Sequence, residues 1–130
     1  SIGNELAGVI EKTGEKVTEF KEGDRVFSRL PTNKIGAFAE YVAINKKDLA
    51  KIPEYLSFNE AAAIPLTALT AYQALDILQV KSGETLFISG GSGGFGAMAV
   101  PLAKTRGIKV ITNGSLENKE RVLALEQSCF

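Results

Sequence analysis

The chain has 130 residues, about one domain's worth, and 45% of them are apolar, so it can bury a core. Its 15 basic and 15 acidic side chains cancel and no segment is strongly basic, so nucleic acid is not an expected partner. With no histidine and one cysteine, Cys129, the chain excludes imidazole bases, Ser-His triads, histidine-held metals, an intrachain disulfide and a cysteine-rich zinc site.

No apolar run is long enough to span a membrane and no signal peptide is visible, so a reducing, cytoplasmic setting is expected. In chain order, residues 6–10 read as a strand. Turns are expected around Gly14 and around Gly23, where a positive φ is easy. Residues 25–28 read as a second strand and residues 30–36 as a loop. Residues 37–43 alternate Phe38, Glu40 and Val42 against Ala37, Ala39 and Tyr41, the pattern of a half-buried strand. Such strands with no earlier partner would have unpaired edges, so the chain is expected to be a piece of a longer protein.

Ser57-Phe-Asn-Glu60 is a capping box that opens a helical region. Pro65 divides residues 61–78 into a short helix and a longer one, since proline suits a first helical turn. Leu66, Leu69, Leu75 and Leu78 are expected to share the buried side of the longer helix. Gly83 pivots a turn into a short apolar strand, residues 86–88. A helix ending at Gly107 follows, with Pro101 inside it expected to cost a backbone bond and kink it. Residues 108–112 read as another strand, 113–115 as a turn and 116–126 as a last helix.

Between that first apolar strand and its helix, five of the thirteen glycines fall within residues 90–96. Gly91, Gly93 and Gly96 fit the G-x-G-x-x-G spacing, in the strand–turn–helix context that a dinucleotide fingerprint requires. Gly91 would permit the tight turn, Gly93 would let a pyrophosphate approach the backbone, and Gly96 would let the helix pack closely on the strand. The helix N-terminus would add unpaired N–H groups and about half a positive charge. The plain alternative is a flexible loop joining two elements.

The ordered motifs Gly3-x-Glu5-x-x-Gly8, Phe20-Lys-x-Gly23-Asp24-Arg-Val26, Gly36-Ala-Phe-Ala-Glu-Tyr41, Ala61-Ala-Ala-x-Pro65-Leu-Thr-x-Leu-Thr-Ala-Tyr72 and Gly90-Gly-Ser-Gly-Gly-Phe-Gly96 resemble the medium-chain dehydrogenase/reductase superfamily. Within it they are most similar to the zinc-free, quinone oxidoreductase-like branch. The resemblance implies an α/β architecture: a partial GroES-like β domain, residues 1–56, then the first half of a Rossmann doubly wound parallel sheet, residues 57–130. It implies NADPH as cofactor, a small-molecule substrate such as a quinone, enone or other activated carbonyl, and a homodimer for the longer protein. The isolated piece is expected to be inactive or nearly so. The rival reading is a non-catalytic nucleotide-binding or interaction module.

Carried over residue by residue, the resemblance puts Asn4 where zinc-dependent relatives have a ligand histidine and Leu66 where they have a ligand cysteine, so no metal is expected. The turn from Gly91 through Ser92, Gly93, Gly94 and Phe95 to Gly96 is the expected cofactor seat. No carboxylate stands at the second strand's end, where Asn113, Gly114 and Ser115 follow, so NADPH is favoured over NADH. Ser115 and Lys119 match positions that contact the 2′-phosphate, although Ser115 also suits a helix cap and Lys119 a solvated face. Thr70 matches a position near the nicotinamide, or else bonds the carbonyl four residues back. Tyr41 and Tyr72 read as packing residues, and no catalytic acid or base is visible.

Overall fold

The computed structural model describes residues 2–127, so Cys129 lies outside the described residues. The chain forms two compact units, Ser1–Leu66 and Thr67–Phe130, each with its own sheet.

The first unit is an antiparallel sheet in the order β1 (Glu5–Val9), β2 (Arg25–Arg29), β3 (Ala50–Lys51). Glu5 pairs with Arg29 and Val9 with Arg25, so the register is closed by the turn at Gly23, whose φ is +87° and whose N–H reaches the Ile10 carbonyl at 2.9 Å. On β2 the buried positions alternate: Val26 and Ser28 point inward, followed by Leu30. The buried Ser28 hydroxyl donates to the Asp48 carbonyl at 2.6 Å, which offsets its desolvation. A hollow of about 780 Å³ lies over this sheet, lined by apolar residues such as Leu6, Val17, Phe20 and Val26 and by charged ones such as Glu40 and Lys46. Lys46 donates to Glu19 at 2.7 Å and pulls that carboxyl down to about 2, an exposed pair with modest stabilising value.

Residues 37–43 are not a strand. Their alternation is satisfied in another way: the N–H groups of Gly36 and Ala37 both bond the Gly3 carbonyl, and Phe38 bonds that of Ile2. The backbone is spent on a local clasp rather than a ladder, and Phe38 and Tyr41 are consequently exposed, so Tyr41 does not have the packing role expected of it. The short β3, and the 3₁₀ turn Lys46–Asp48 before it, carry no apolar alternation that would announce them.

The capping box is present as expected. Ser57 Oγ accepts from the Glu60 N–H, and Glu60 accepts from the Ser57 N–H at 2.9 Å, starting α1 (Phe58–Ala62). Arg25 fastens α1 to β2, lying 4.6 Å from the Phe58 ring centre and donating to the Leu56 carbonyl at 2.6 Å. Pro65 then opens α2 (Pro65–Leu78), and the first turn of α2 is held by the Glu5 carboxylate, which accepts from the Leu66 N–H at 2.7 Å.

In the second unit β4 (Thr85–Ile88) and β5 (Lys109–Thr112) are parallel, Thr85 opposite Lys109 and Ile88 opposite Thr112, with α3 (Gly94–Thr105) as the connection. α4 (Lys119–Gln127) follows a 3₁₀ turn, Leu116–Asn118, so the last helix begins later than residue 116. Ala71, Leu75, Ile88, Ala99, Val100, Ala103 and Ile108 form the core. Small residues dominate α3's inner face, which lets it lie close to the sheet. Beyond its first residue, the buried positions of α2 are Ala71 and Leu75, four apart; Leu69 and Leu78 are exposed, 48% and 58%, contrary to the four-leucine face expected from sequence. Pro101 lies buried within α3, where the Ala97 carbonyl forgoes its usual donor. Tyr72 stacks under the Arg106 guanidinium at 4.7 Å, and Arg106 reaches Asp76 at 2.6 Å.

A Cβ on Gly96 would stand 2.5 Å from the Gly91 Cα and 2.6 Å from the Gly90 carbonyl oxygen, both backbone. Gly96→Ala is therefore expected to destabilise the chain by about 2 kcal/mol in urea unfolding. The capping box gives a pH signature. The Ser57 N–H, then the Ser57 hydroxyl, hold Glu60 below its ordinary 4.5, so its contribution is present at neutral pH and lost on acidification. The stability gap between the native chain and Glu60→Gln should accordingly shrink as pH falls below 4.5, read from denaturation midpoints across that range.

Candidate functional site

The carboxyl ends of β4 and β5 lie side by side, and the glycine turn leaves from the first of them. This is the edge where ligands bind in open α/β sheets. The turn is built by backbone and by Asn113. Gly90 takes φ +76°, so the sharp exit from the strand is made at Gly90, not at Gly91 as the spacing suggested. The Gly90 N–H donates to Asn113 Oδ1 at 2.7 Å, the Gly91 N–H to the Asn113 carbonyl at 2.9 Å, and the Gly93 N–H to the Gly90 carbonyl at 2.9 Å. Gly91 is glycine for a different reason: a Cβ there would collide with Thr112 Oγ1 and lie 2.8 Å from Thr112 Cγ2. Thr112 is held in place by its own hydroxyl, which donates to the Ile88 carbonyl at 2.5 Å and so links the two strand ends.

Gly93 is the N-cap of α3, with its carbonyl accepting from Ala97 at 2.9 Å and no side chain over the helix end. The N–H groups of Gly94, Phe95 and Gly96 have no acceptor within the helix, by the geometry of any helix start. Gly93, Gly94 and Phe95 are exposed, and Ser92 is half-buried. The result is a cradle of N–H donors, exposed at Gly94 and Phe95 and backed by the buried Gly96, with the positive end of a 12-residue helix behind it. It fits an anion such as a diphosphate. Thr67 closes one side, its Cγ2 3.6 Å from where a Gly94 Cβ would be. Thr70, one turn further along α2, is exposed.

Beside the cradle a second hollow of about 480 Å³ is lined by Thr112, Gly114, Ser115, Leu116, Lys119 and Val122, with Leu123 beyond. Lys119 is the one charged residue of that lining among the described residues. Ser115 occupies the N-cap of the 3₁₀ turn but its hydroxyl does not cap it; it accepts from Asn118 Nδ2 at 2.8 Å. The Gly114 position is tight, its absent Cβ pointing at Ser92 Oγ at 3.4 Å, so the hollow and the glycine turn share a wall. The structure thus brings together Gly91, Ser92, Gly93, Gly94, Phe95, Gly96, Asn113, Ser115 and Lys119. Sequence reasoning counted Gly90 in the glycine motif without giving it the sharp exit, and quoted Thr67 within a motif without giving it a place at the site. It gave no role to Thr112 or Asn118, which carry no motif signal of their own.

Near the other candidate position, the Asn4 carbonyl accepts from Leu30 at 2.7 Å and Glu5 engages Leu66. No group of three or more His, Cys, Asp or Glu gathers anywhere among the described residues.

An antiparallel β unit followed by a strand, glycine turn, helix and parallel strand is an α/β architecture: a partial GroES-like domain, then half of a Rossmann sheet. Residues 1–54 match the alcohol dehydrogenase GroES-like domain family. The chain is 41% identical over 124 residues to a zinc-type alcohol dehydrogenase-like protein of Staphylococcus epidermidis, covering 90% of this chain and 37% of that protein. It is 37% identical over 122 residues to human quinone oxidoreductase, covering 93% and 36%. Its fold superposes on Escherichia coli quinone oxidoreductase in complex with NADPH, with a TM-score of 0.84 and 32% identity over 95% of this chain and 38% of that one. Along its length the chain is similar to members of the medium-chain dehydrogenase/reductase superfamily. It spans a little over a third of the length of the curated relatives it matches.

Asn113→Ala should remove the acceptor of the Gly90 N–H and loosen the turn. The expected outcome is faster amide hydrogen exchange at Gly90 and Gly91 and a loss of about 1 kcal/mol in stability.

Proposed function

We propose that the chain forms the coenzyme seat and part of the substrate domain of an NADPH-dependent oxidoreductase that reduces a quinone, enone or similar activated carbonyl without zinc. The observation that carries this reading is the bare N–H cradle at Gly93–Gly96 opening beside a hollow whose charged lining residue is Lys119. The NADPH-bound quinone oxidoreductase that shares this fold supports it.

In this reading the coenzyme diphosphate lies against the N–H groups of Gly94, Phe95 and Gly96, with Gly93 leaving room for its oxygens. The adenosine end occupies the hollow. The Ser115 hydroxyl and the Lys119 ammonium hold the 2′-phosphate, the first by hydrogen bond and the second by charge. Asn113 replaces the carboxylate that would repel that phosphate, and Glu117, the next acid along, is not part of the hollow's lining. Ser92 lines the cradle, and Thr70 faces the nicotinamide end. When bound, NADPH supplies the hydride for an electrophilic carbon; the chain's own residues bind and orient. The metal-free character rests on donor chemistry: Asn4 and Leu66, at positions that hold zinc in zinc-dependent relatives, offer an amide and an alkyl group. The protein works on small molecules, as a homodimer in the cytoplasm.

Titration of the chain with NADPH and NADH, followed by nicotinamide fluorescence, tests the seat. NADPH should bind more tightly, Gly93→Val should abolish binding of both, and Lys119→Ala should weaken NADPH about tenfold while sparing NADH. Equal binding of the two nucleotides would remove the 2′-phosphate assignment. Stoichiometric zinc in the purified protein would overturn the metal-free part.

A further inference from the structure

Asn118 does not line the hollow, yet it makes two bonds to a residue that does. Its Nδ2 donates to Ser115 Oγ at 2.8 Å, and its backbone N–H donates to the Ser115 carbonyl at 3.0 Å. A serine hydroxyl has one hydrogen to donate and two lone pairs to accept with. Ser115 Oγ accepts no cap bond from the turn it begins, and its bond to Asn118 uses a lone pair, so the hydrogen is still there to give. With one lone pair occupied by the Asn118 amide, the hydroxyl is polarised and its hydrogen lies off that bond, available to an acceptor in the hollow that Ser115 and Lys119 line. A phosphate monoester offers only acceptors at neutral pH, so a serine locked as a donor suits it, whereas a serine free to rotate would have to be ordered at binding.

We propose that Asn118 is a positioning residue for coenzyme selection: by donating to Ser115 it fixes that hydroxyl as a donor to the 2′-phosphate and so raises the preference for NADPH over NADH. This rests on the coenzyme seat proposed above. Asn118 acts only through Ser115, so its effect must vanish when the hydroxyl is gone, a property that a merely structural role for the turn lacks.

The test is the ratio of NADPH to NADH dissociation constants for the native chain, Asn118→Ala, Ser115→Ala and the double variant. Asn118→Ala should lower the preference for NADPH about threefold to tenfold with NADH binding unchanged. The double variant should be no worse than Ser115→Ala alone. Asn118→Asp keeps the shape of the turn and can only accept; it should claim the Ser115 hydrogen and lower the preference, and it carries the test should the alanine variant fail to fold. Any loss that Asn118→Asp still causes in the Ser115→Ala background is charge repulsion and is subtracted.

An unchanged ratio in the single variants overturns the proposal. So do full additivity with Ser115→Ala and equal weakening of both nucleotides. A native chain with no preference for NADPH is a different result: it ends the reading of the hollow itself, and this inference with it.

Discussion

The contact on which the second unit depends is one between backbones. Gly96, in the first turn of α3, stands so close to Gly91 at the end of β4 that any Cβ would overlap main-chain atoms. Side chains can rotate out of a clash, but two backbones in register cannot. Glycine at 96 therefore sets how near the helix start comes to the turn after β4, and this fixes where the helix's unsatisfied N–H groups point. The constraint passes on through Thr112, which fills the space beside Gly91 and bonds the last carbonyl of β4. One chain of contacts thus runs from the end of β5, through the turn, to the helix dipole.

The rest of the unit holds that contact still. Val100 and Ala103 of α3 and Ala71 and Leu75 of α2 are all but excluded from solvent. Burying the larger of these side chains contributes roughly 1.5–3 kcal/mol each, which anchors α3 well behind its exposed first turn. A rigid body and an open mouth are compatible because they occupy opposite ends of one helix. The Arg106 contacts with Tyr72 and Asp76 lie at the far end, so they clamp α2 to the tail of α3 without intruding on the cradle.

What could be read in the sequence was whatever depends on local chemistry. Ser57 and Glu60 announced their capping box, Pro65 its helix start, and the glycine spacing its strand–turn–helix. Each is decided within a few residues, by a hydrogen bond or a forbidden φ. What could not be read depends on partners distant in sequence. The alternation at residues 37–43 is a sound strand pattern, but a strand needs a neighbour to pair with, and here Gly3 and Ile2 draw its N–H groups into a clasp. The leucines of α2 illustrate the same point: spacing allows several stripes, and the one that carries Ala71 and Leu75 is the one packed against α3 and the sheet residues of the core. At the site, the glycines and the basic and hydroxyl side chains were legible, whereas Thr67 and Thr112 matter only because the fold carries them to the turn.

Asn113 anchors the turn through atoms of two kinds, its carbonyl to the Gly91 N–H and its side-chain oxygen to the Gly90 N–H. Aspartate offers the same side-chain oxygen in the same place. The geometry of the turn is thus indifferent to whether residue 113 is charged, while the electrostatic potential at the mouth of the neighbouring hollow is not. Shape and charge are uncoupled at this residue, and one codon change of a single base separates the two states. The potential beside the hollow can thus be reset without rebuilding any backbone.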